Sequence, residues 1–438
     1  MVAIAARPLP LAPPLTGAAA SEDLPPFRVP ASHFLVALGW LVIGSLALVL
    51  VAPSLARGAW LSPGAAAAAH AFTLGWLVTS AYGALYQLAP VVLGVQPRSL
   101  RLAPVVLTLH TLGTGLVVAG LGLWLPRYIG AGWVLVVVAL ALWSWNFAGV
   151  FRRSRRSPGI GAHVMASYIA LWLTCALAGV RIGNALGWWM VPREALVAAH
   201  VQLAVVGFGV VLVMGLGRRL FPMFLMNRSQ TEWPLRWCGP LTAAGVIAQV
   251  AGWLGGLGSM VTAGGLLTAA GGALFLLQAM VWVRARARRE LDYPLQQLVA
   301  AFVLLGAALV MGLVALRWPV PQLIAAYGVL LVAGWITLVI GAVLGRVLPF
   351  LTWLERFGPL AGVRGAGAMP RAADLLPRWS TRLSSGAWVG GTIVLAGAVA
   401  VEMPRVAVAG ALLFVIGSAT ALQQYVRLVL PALRSRPA

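Results

Sequence analysis

Apolar runs follow one another along the whole chain, and the short segments between them hold nearly all of the charge. An apolar run of about 20 residues crosses a bilayer core as an α-helix, because in hydrocarbon the backbone must satisfy its own hydrogen bonds. The pattern predicts twelve spans, at about 33–53, 66–90, 103–124, 131–151, 163–182, 195–217, 238–256, 260–283, 296–316, 322–345, 385–401 and 404–430. The sequence therefore reads as an all-α polytopic membrane protein. Composition agrees, with 61% of the 438 residues hydrophobic, 9% charged and a mean hydropathy of +0.93. Residues 1–32, rich in Pro and Ala, read as a flexible tail ahead of a single membrane domain at 33–430. Residues 351–384 form the longest loop. It opens on the amphipathic LTWLERFGPLAGVRG, a segment for the membrane surface or for a docking partner.

The charge changes the picture in one respect. A formal charge of +22 invites a nucleic-acid reading, but the 31 basic residues are all arginine and are gathered in alternate loops. That distribution is an orientation signal rather than a nucleic-acid surface. Twenty-five arginines fall on one side, in the tails and in loops such as RRSRR (152–156) and RARARR (284–289); Arg57, Arg127, Arg181, Arg193, Arg317 and Arg405 fall on the other. The asymmetry predicts both termini in the cytoplasm, and the chain is expected as a multi-pass protein of a bacterial inner or plasma membrane. No buried Asp or Glu is expected within the spans, which weighs against a proton pump or an ion-coupled transporter.

Three stretches are alike. PGAAAAAHAFTLGWLVTSAYGALYQLAP runs from Pro63, PREALVAAHVQLAVVGFGVVLVMGLGRRLFP from Pro192, and PQLIAAYGVLLVAGWITLVIGAVLGRVLP from Pro321. Each begins with a proline and carries a ring residue six to eight positions later: His70, His200 and Tyr327. A Gly-aromatic pair follows (Gly75-Trp76, Gly207-Phe208, Gly334-Trp335), and a proline closes the stretch 20, 22 and 22 residues after the ring. These are the second, sixth and tenth spans. The chain thus divides into three pseudo-repeats of four helices, at about 33–157, 158–292 and 293–430. At 1.5 Å per residue the three rings sit at similar depth, toward the arginine-poor side. Gly75 and Gly207 would let another backbone or a flat cofactor come close.

Taken together, HAFTLGW, GALYQLAPVVLG, HVQLAVVGFG, GRRLFPMFL and GWITLVIGAVLGRVLPFLTWLERFG resemble divergent members of the haem-copper oxidase subunit I superfamily, which includes nitric-oxide reductases. That architecture has twelve helices in three arcs of four. The resemblance implies haem b and a respiratory cytochrome or quinone partner. It places His70 at the axial position of a low-spin haem and His200 at a copper-ligand position. The departures matter equally. The seventh span has no histidine where the family has an adjacent pair, and the tenth has Tyr327 where the family has two imidazoles. One histidine cannot make a copper centre, so a competent terminal oxidase or nitric-oxide reductase is not expected. The chain is similar in the same way to NnrS-type nitric-oxide-response membrane proteins. Electron transfer, gas sensing or nitric-oxide response follows from the resemblance; a cofactor-free subunit or assembly scaffold is the alternative, and a transporter comes third.

Each candidate has a plainer reading. His70 and His200 ligate haem iron or another metal, or bond between helices. His110, within the third span, is a second haem ligand or an interhelical donor. Tyr327 is a phenolate ligand or a packed phenol. His33 and His163 begin their spans and are expected at the interface. Arg181, Arg193 and Arg317 could pair with haem propionates. Gln87, Gln202 and Gln249 are expected to bond between helices, and Cys175 and Cys238 to pack as small core residues.

Overall fold

The computed structural model describes residues 25–149, 158–227, 229, 231–287, 289–361 and 368–434. The tail through residue 24 and the RRSRR segment lie outside the described residues. Of the described residues, 86% are helical. Among the described residues, twelve helices are long and apolar enough to cross a bilayer: α1 (Arg28–Ala56), α2 (Pro63–Leu93), α3 (Leu102–Gly122), α4 (Pro126–Asn146), α5 (Gly159–Ala185), α6 (Arg193–Leu225), α7 (Trp233–Gly255), α8 (Gly258–Arg284), α9 (Tyr293–Arg317), α10 (Pro321–Leu360), α11 (Arg378–Ala400) and α12 (Pro404–Arg434). The protein is an all-α polytopic membrane protein.

Local chemistry sets several ends. Ser62 and Asp292 accept from backbone N–H groups three residues on, with proline at the first or second helical position. Hydropathy misplaced other boundaries. The chain stays helical to Leu360, so LTWLERF continues α10, and α11 starts at Arg378. Trp353 Nε1 donates to the Pro370 carbonyl at 2.6 Å, which holds Pro370 against α10.

Lipid tails are as apolar as leucine side chains, so close packing rather than hydrophobicity holds membrane helices together. Glycine makes that packing possible here, and it does so three times over. In each repeat the third and fourth helices cross at a glycine pair 19 residues apart: Gly113 with Gly132, Gly245 with Gly264, Gly391 with Gly410. A Cβ on Gly245 would lie 2.6 Å from the Gly264 carbonyl oxygen, and one on Gly264 would lie 2.6 Å from the Gly245 oxygen. The first helix of each repeat packs on the second at two levels. Trp40, Ala170 and Leu304 fill the space over Gly75, Gly207 and Gly334, and seven residues earlier His33, His163 and Gln297 fill that over Gly83, Gly215 and Gly341.

The fourth helix of each repeat packs on the first helix of the next, α4 on α5 and α8 on α9, and α12 returns to α1. The result is a ring of three repeats around α2, α6 and α10, which are more buried than any other span. Polar stitches join neighbours. Ser418 Oγ meets Ser45 Oγ at 2.8 Å and accepts from Trp388 Nε1 at 3.0 Å, tying α1, α11 and α12. Gln202 Nε2 donates to Gln249 Oε1 at 2.6 Å between α6 and α7, as the sequence suggested. Cys175 and Cys238 are free and buried.

Asn146 closes the connection between α2 and α3. Its Oδ1 accepts from Ser99 N at 2.8 Å, while Nδ2 donates to Ser99 O at 3.0 Å and to the Tyr86 hydroxyl at 3.2 Å. Asn146→Ala removes all three bonds from a fully buried side chain. It is expected to cost about 1–3 kcal/mol, read as a lower melting temperature in detergent; an unchanged midpoint would show that the connection is not held there.

Candidate paired-histidine site

The three inner helices share a feature that the sequence does not announce. Each changes to π-helical geometry just after its ring residue: Ala71–Val78 after His70, Gln202–Val210 after His200, and Val329–Ile336 after Tyr327. π segments are rare, usually a single turn, and are often found at functional sites. These three touch one another pairwise at the centre of the ring. The wider turn offers carbonyl oxygens to side chains. Thr79 and Thr337, each the residue just after its segment, donate Oγ1 to the carbonyl five residues back, Leu74 and Val332.

The ring residues do not behave alike. The His70 and His200 imidazoles come together, with centroids 5.9 Å apart and planes 26° from parallel. His70 Nδ1 lies 2.7 Å from the Ala66 carbonyl oxygen, and His200 Nδ1 lies 3.1 Å from that of Thr174 on α5. A carbonyl only accepts, so each Nδ1 carries the proton and each Nε2 keeps its lone pair. A backbone acceptor on Nδ1 is the usual means of aiming a ligand imidazole. Tyr327 does not join them: its ring packs on Gly312 of α9, where a Cβ would meet Cε2 at 3.0 Å.

His110 is placed separately. Its Nε2 donates to the Leu74 carbonyl at 3.0 Å, and its ring stands edge-on to Tyr82 with centroids 5.2 Å apart. It therefore ties α3 to the π segment of α2. Its Nδ1 is buried with no partner among the described residues.

Two expectations are corrected. His33 and His163 are buried, at 1% and 7% exposure, rather than interfacial. Their helices begin about a turn earlier than hydropathy implied, at Arg28 and Gly159, which carries both side chains inward. Each donates Nδ1–H to the carbonyl four residues back and leaves Nε2 buried without a partner among the described residues. A signal for their kinship was present: His163 follows His33, and His200 follows His70, by the same 130 residues. Gln297 stands at the third position, its Nε2 bonded to Leu338 O and its Oε1 to Ser385 Oγ. The second correction concerns the glycines. The faces of Gly75 and Gly207 are filled, by Trp40 and Ala170, so neither stands open to a flat cofactor.

Of the arginines near the rings, Arg181 and Arg193 lie within electrostatic range of each other. Arg193 donates to the Leu61 carbonyl at 2.6 Å, and Arg181 lies over the Trp124 ring at 5.8 Å. Arg317 lies over Trp318 instead. Among the described residues no three His, Cys, Asp or Glu side chains converge as a metal site would require. Two imidazoles are too few donors for a protein-built zinc or copper(II) site. They are the number a haem iron takes from a protein, since the porphyrin supplies the rest. The donor set thus fits a haem in kind. No protein-family model matches the chain, and no curated protein matches it.

Proposed function

We propose that this is a membrane-embedded electron-transfer protein in which His70 of α2 and His200 of α6 would hold a haem b. One observation carries the reading: two imidazoles from equivalent helices meet with both Nδ1–H groups committed to carbonyls, so that both free lone pairs are Nε2. Their separation supports it. At 5.9 Å the rings stand farther apart than the roughly 4 Å of face-to-face contact, so a group held by both imidazoles would bridge them. When bound, the haem supplies one-electron chemistry. The chain supplies orientation through the Ala66 and Thr174 carbonyls, a dry surround of apolar helices, and the Arg181–Arg193 pair as partners for two propionates. A haem held by two imidazoles would serve electron transfer rather than gas binding. The arginine asymmetry supports an orientation with both termini on the cytoplasmic side, and the reading places the protein in a bacterial inner membrane. A respiratory cytochrome or quinone would exchange the electron.

A second reading is a cofactor-free subunit or scaffold of a respiratory complex. It is favoured by the filled faces of Gly75 and Gly207 and by Tyr327 standing apart from the pair. The reduced-minus-oxidised spectrum of the full-length protein, purified after haem-replete expression, separates the two. The first reading requires Soret and α bands near one haem per chain. Their absence, with co-purification of a cytochrome, would leave the second.

A further inference from the structure

On the lipid-facing side, the start of α9 and the neighbouring faces of α11 and α12 enclose an open groove of about 720 Å³. Tyr293, Arg378, Trp379 and Arg382 stand at its end, and Gly386 and Ile416 line its body. Arg378 opens α11, Arg382 follows one turn later, and Gly386 another turn on, so charge gives way to an apolar floor within about 12 Å. At Gly386 a Cβ would meet nothing within 4 Å, which makes this glycine the hollow of the groove rather than a helix contact. Trp379, Leu383, Leu413 and Ile416 expose 62%, 43%, 39% and 47% of their surfaces.

The two guanidiniums have no ion pair among the described residues. The carboxylate nearest in sequence and the one that precedes Tyr293 are already taken: Asp374 by Arg371 at 2.9 Å, and Asp292 by Arg346 at 2.8 Å. Asp374 lies within electrostatic range of Arg378 but gives its oxygen to Arg371. The first turn of α11 has no side-chain cap and no acidic residue, so its backbone adds positive potential at the same place.

We infer that this groove is a binding site for an anionic phospholipid, its phosphate between Arg378 and Arg382 and one acyl chain along Gly386 and Ile416. Charge complementarity selects the headgroup, and the apolar hollow on the lipid side selects a chain-bearing molecule over a soluble anion. This inference does not depend on the haem reading.

Native mass spectrometry of the full-length protein, released from a detergent containing equal phosphatidylglycerol and phosphatidylethanolamine, tests it. Retention of phosphatidylglycerol over phosphatidylethanolamine is expected. Arg378→Gln/Arg382→Gln should reduce that retention by about 25-fold, at roughly five-fold per arginine. Gly386→Leu should reduce it with both arginines intact, by occupying the hollow; because it adds a good helix former into open space, it should fold normally. Equal retention of the two lipids would overturn the inference. So would wild-type retention in the Gly386→Leu protein, or a dimer without lipid in which a second copy fills the groove.

Discussion

His70→Ala and His200→Ala are each expected to turn a six-coordinate haem spectrum into a five-coordinate one, and the double variant to purify without haem. The reasoning is local. Each imidazole is aimed by its own carbonyl, Ala66 on the same helix for His70 and Thr174 on a neighbouring helix for His200, so removing one leaves the other oriented. A single variant should broaden and shift the reduced Soret band and gain carbon monoxide binding on the vacated face. His110→Phe should leave the spectrum unaltered, because His110 is engaged with Leu74 and Tyr82. Haem retained at full occupancy by the double variant would place the site elsewhere. An effect of one histidine only would make the other a neighbour rather than a ligand.

Gly245→Ala should destabilise the fold as strongly as any single methyl can. The added carbon would collide with Thr268 Oγ1 and lie 2.6 Å from both the Gly264 oxygen and the Thr268 nitrogen. Two of those three atoms are backbone, so a whole helix must move. Overpacking of this kind costs about 1–3 kcal/mol, and opening the crossing also loses dispersion along its length and weak Cα–H···O contacts. Gly390→Ala is the matched control, since a Cβ there meets nothing within 4 Å. Heating in detergent followed by size-exclusion chromatography should show the Gly245→Ala monomer lost several degrees below wild type, with Gly390→Ala unchanged. Equal midpoints for the two variants would mean that the close crossing does not hold α7 to α8.

Much of this architecture was legible in the sequence because a bilayer leaves few options. Apolar length gives the helices, and recurrent Pro–ring–Gly–aromatic order gives the three inner ones. Less legible was whatever depends on how helices face one another. The 19-residue glycine spacing occurs in all three repeats, yet among 50 glycines such intervals carry little weight until the helices are paired. The π segments have no residue signature: AFTLGWLV, QLAVVGFGV and VLLVAGWI would suit an α-helix equally. What favours the wider turn is tertiary, the meeting of three helices at one point. His33 and His163 were misread because hydropathy began their spans at the histidines themselves, although the preceding residues also wind into the helix. The meeting of His70 with His200, and the separation of Tyr327, could not follow from a repeat that treats the three as equal.

The return of α12 to α1 means that no helix of the ring is an end in the packing sense. The start of α1 and the end of α12 lie on neighbouring, antiparallel helices, so the order in which the repeats are strung is separable from the order in which they touch. A circular permutant that begins at α5 and joins α12 to α1 through a short linker would keep every helix contact described here. The starting point of the chain is then a matter of insertion and orientation during synthesis, while the finished fold is indifferent to it.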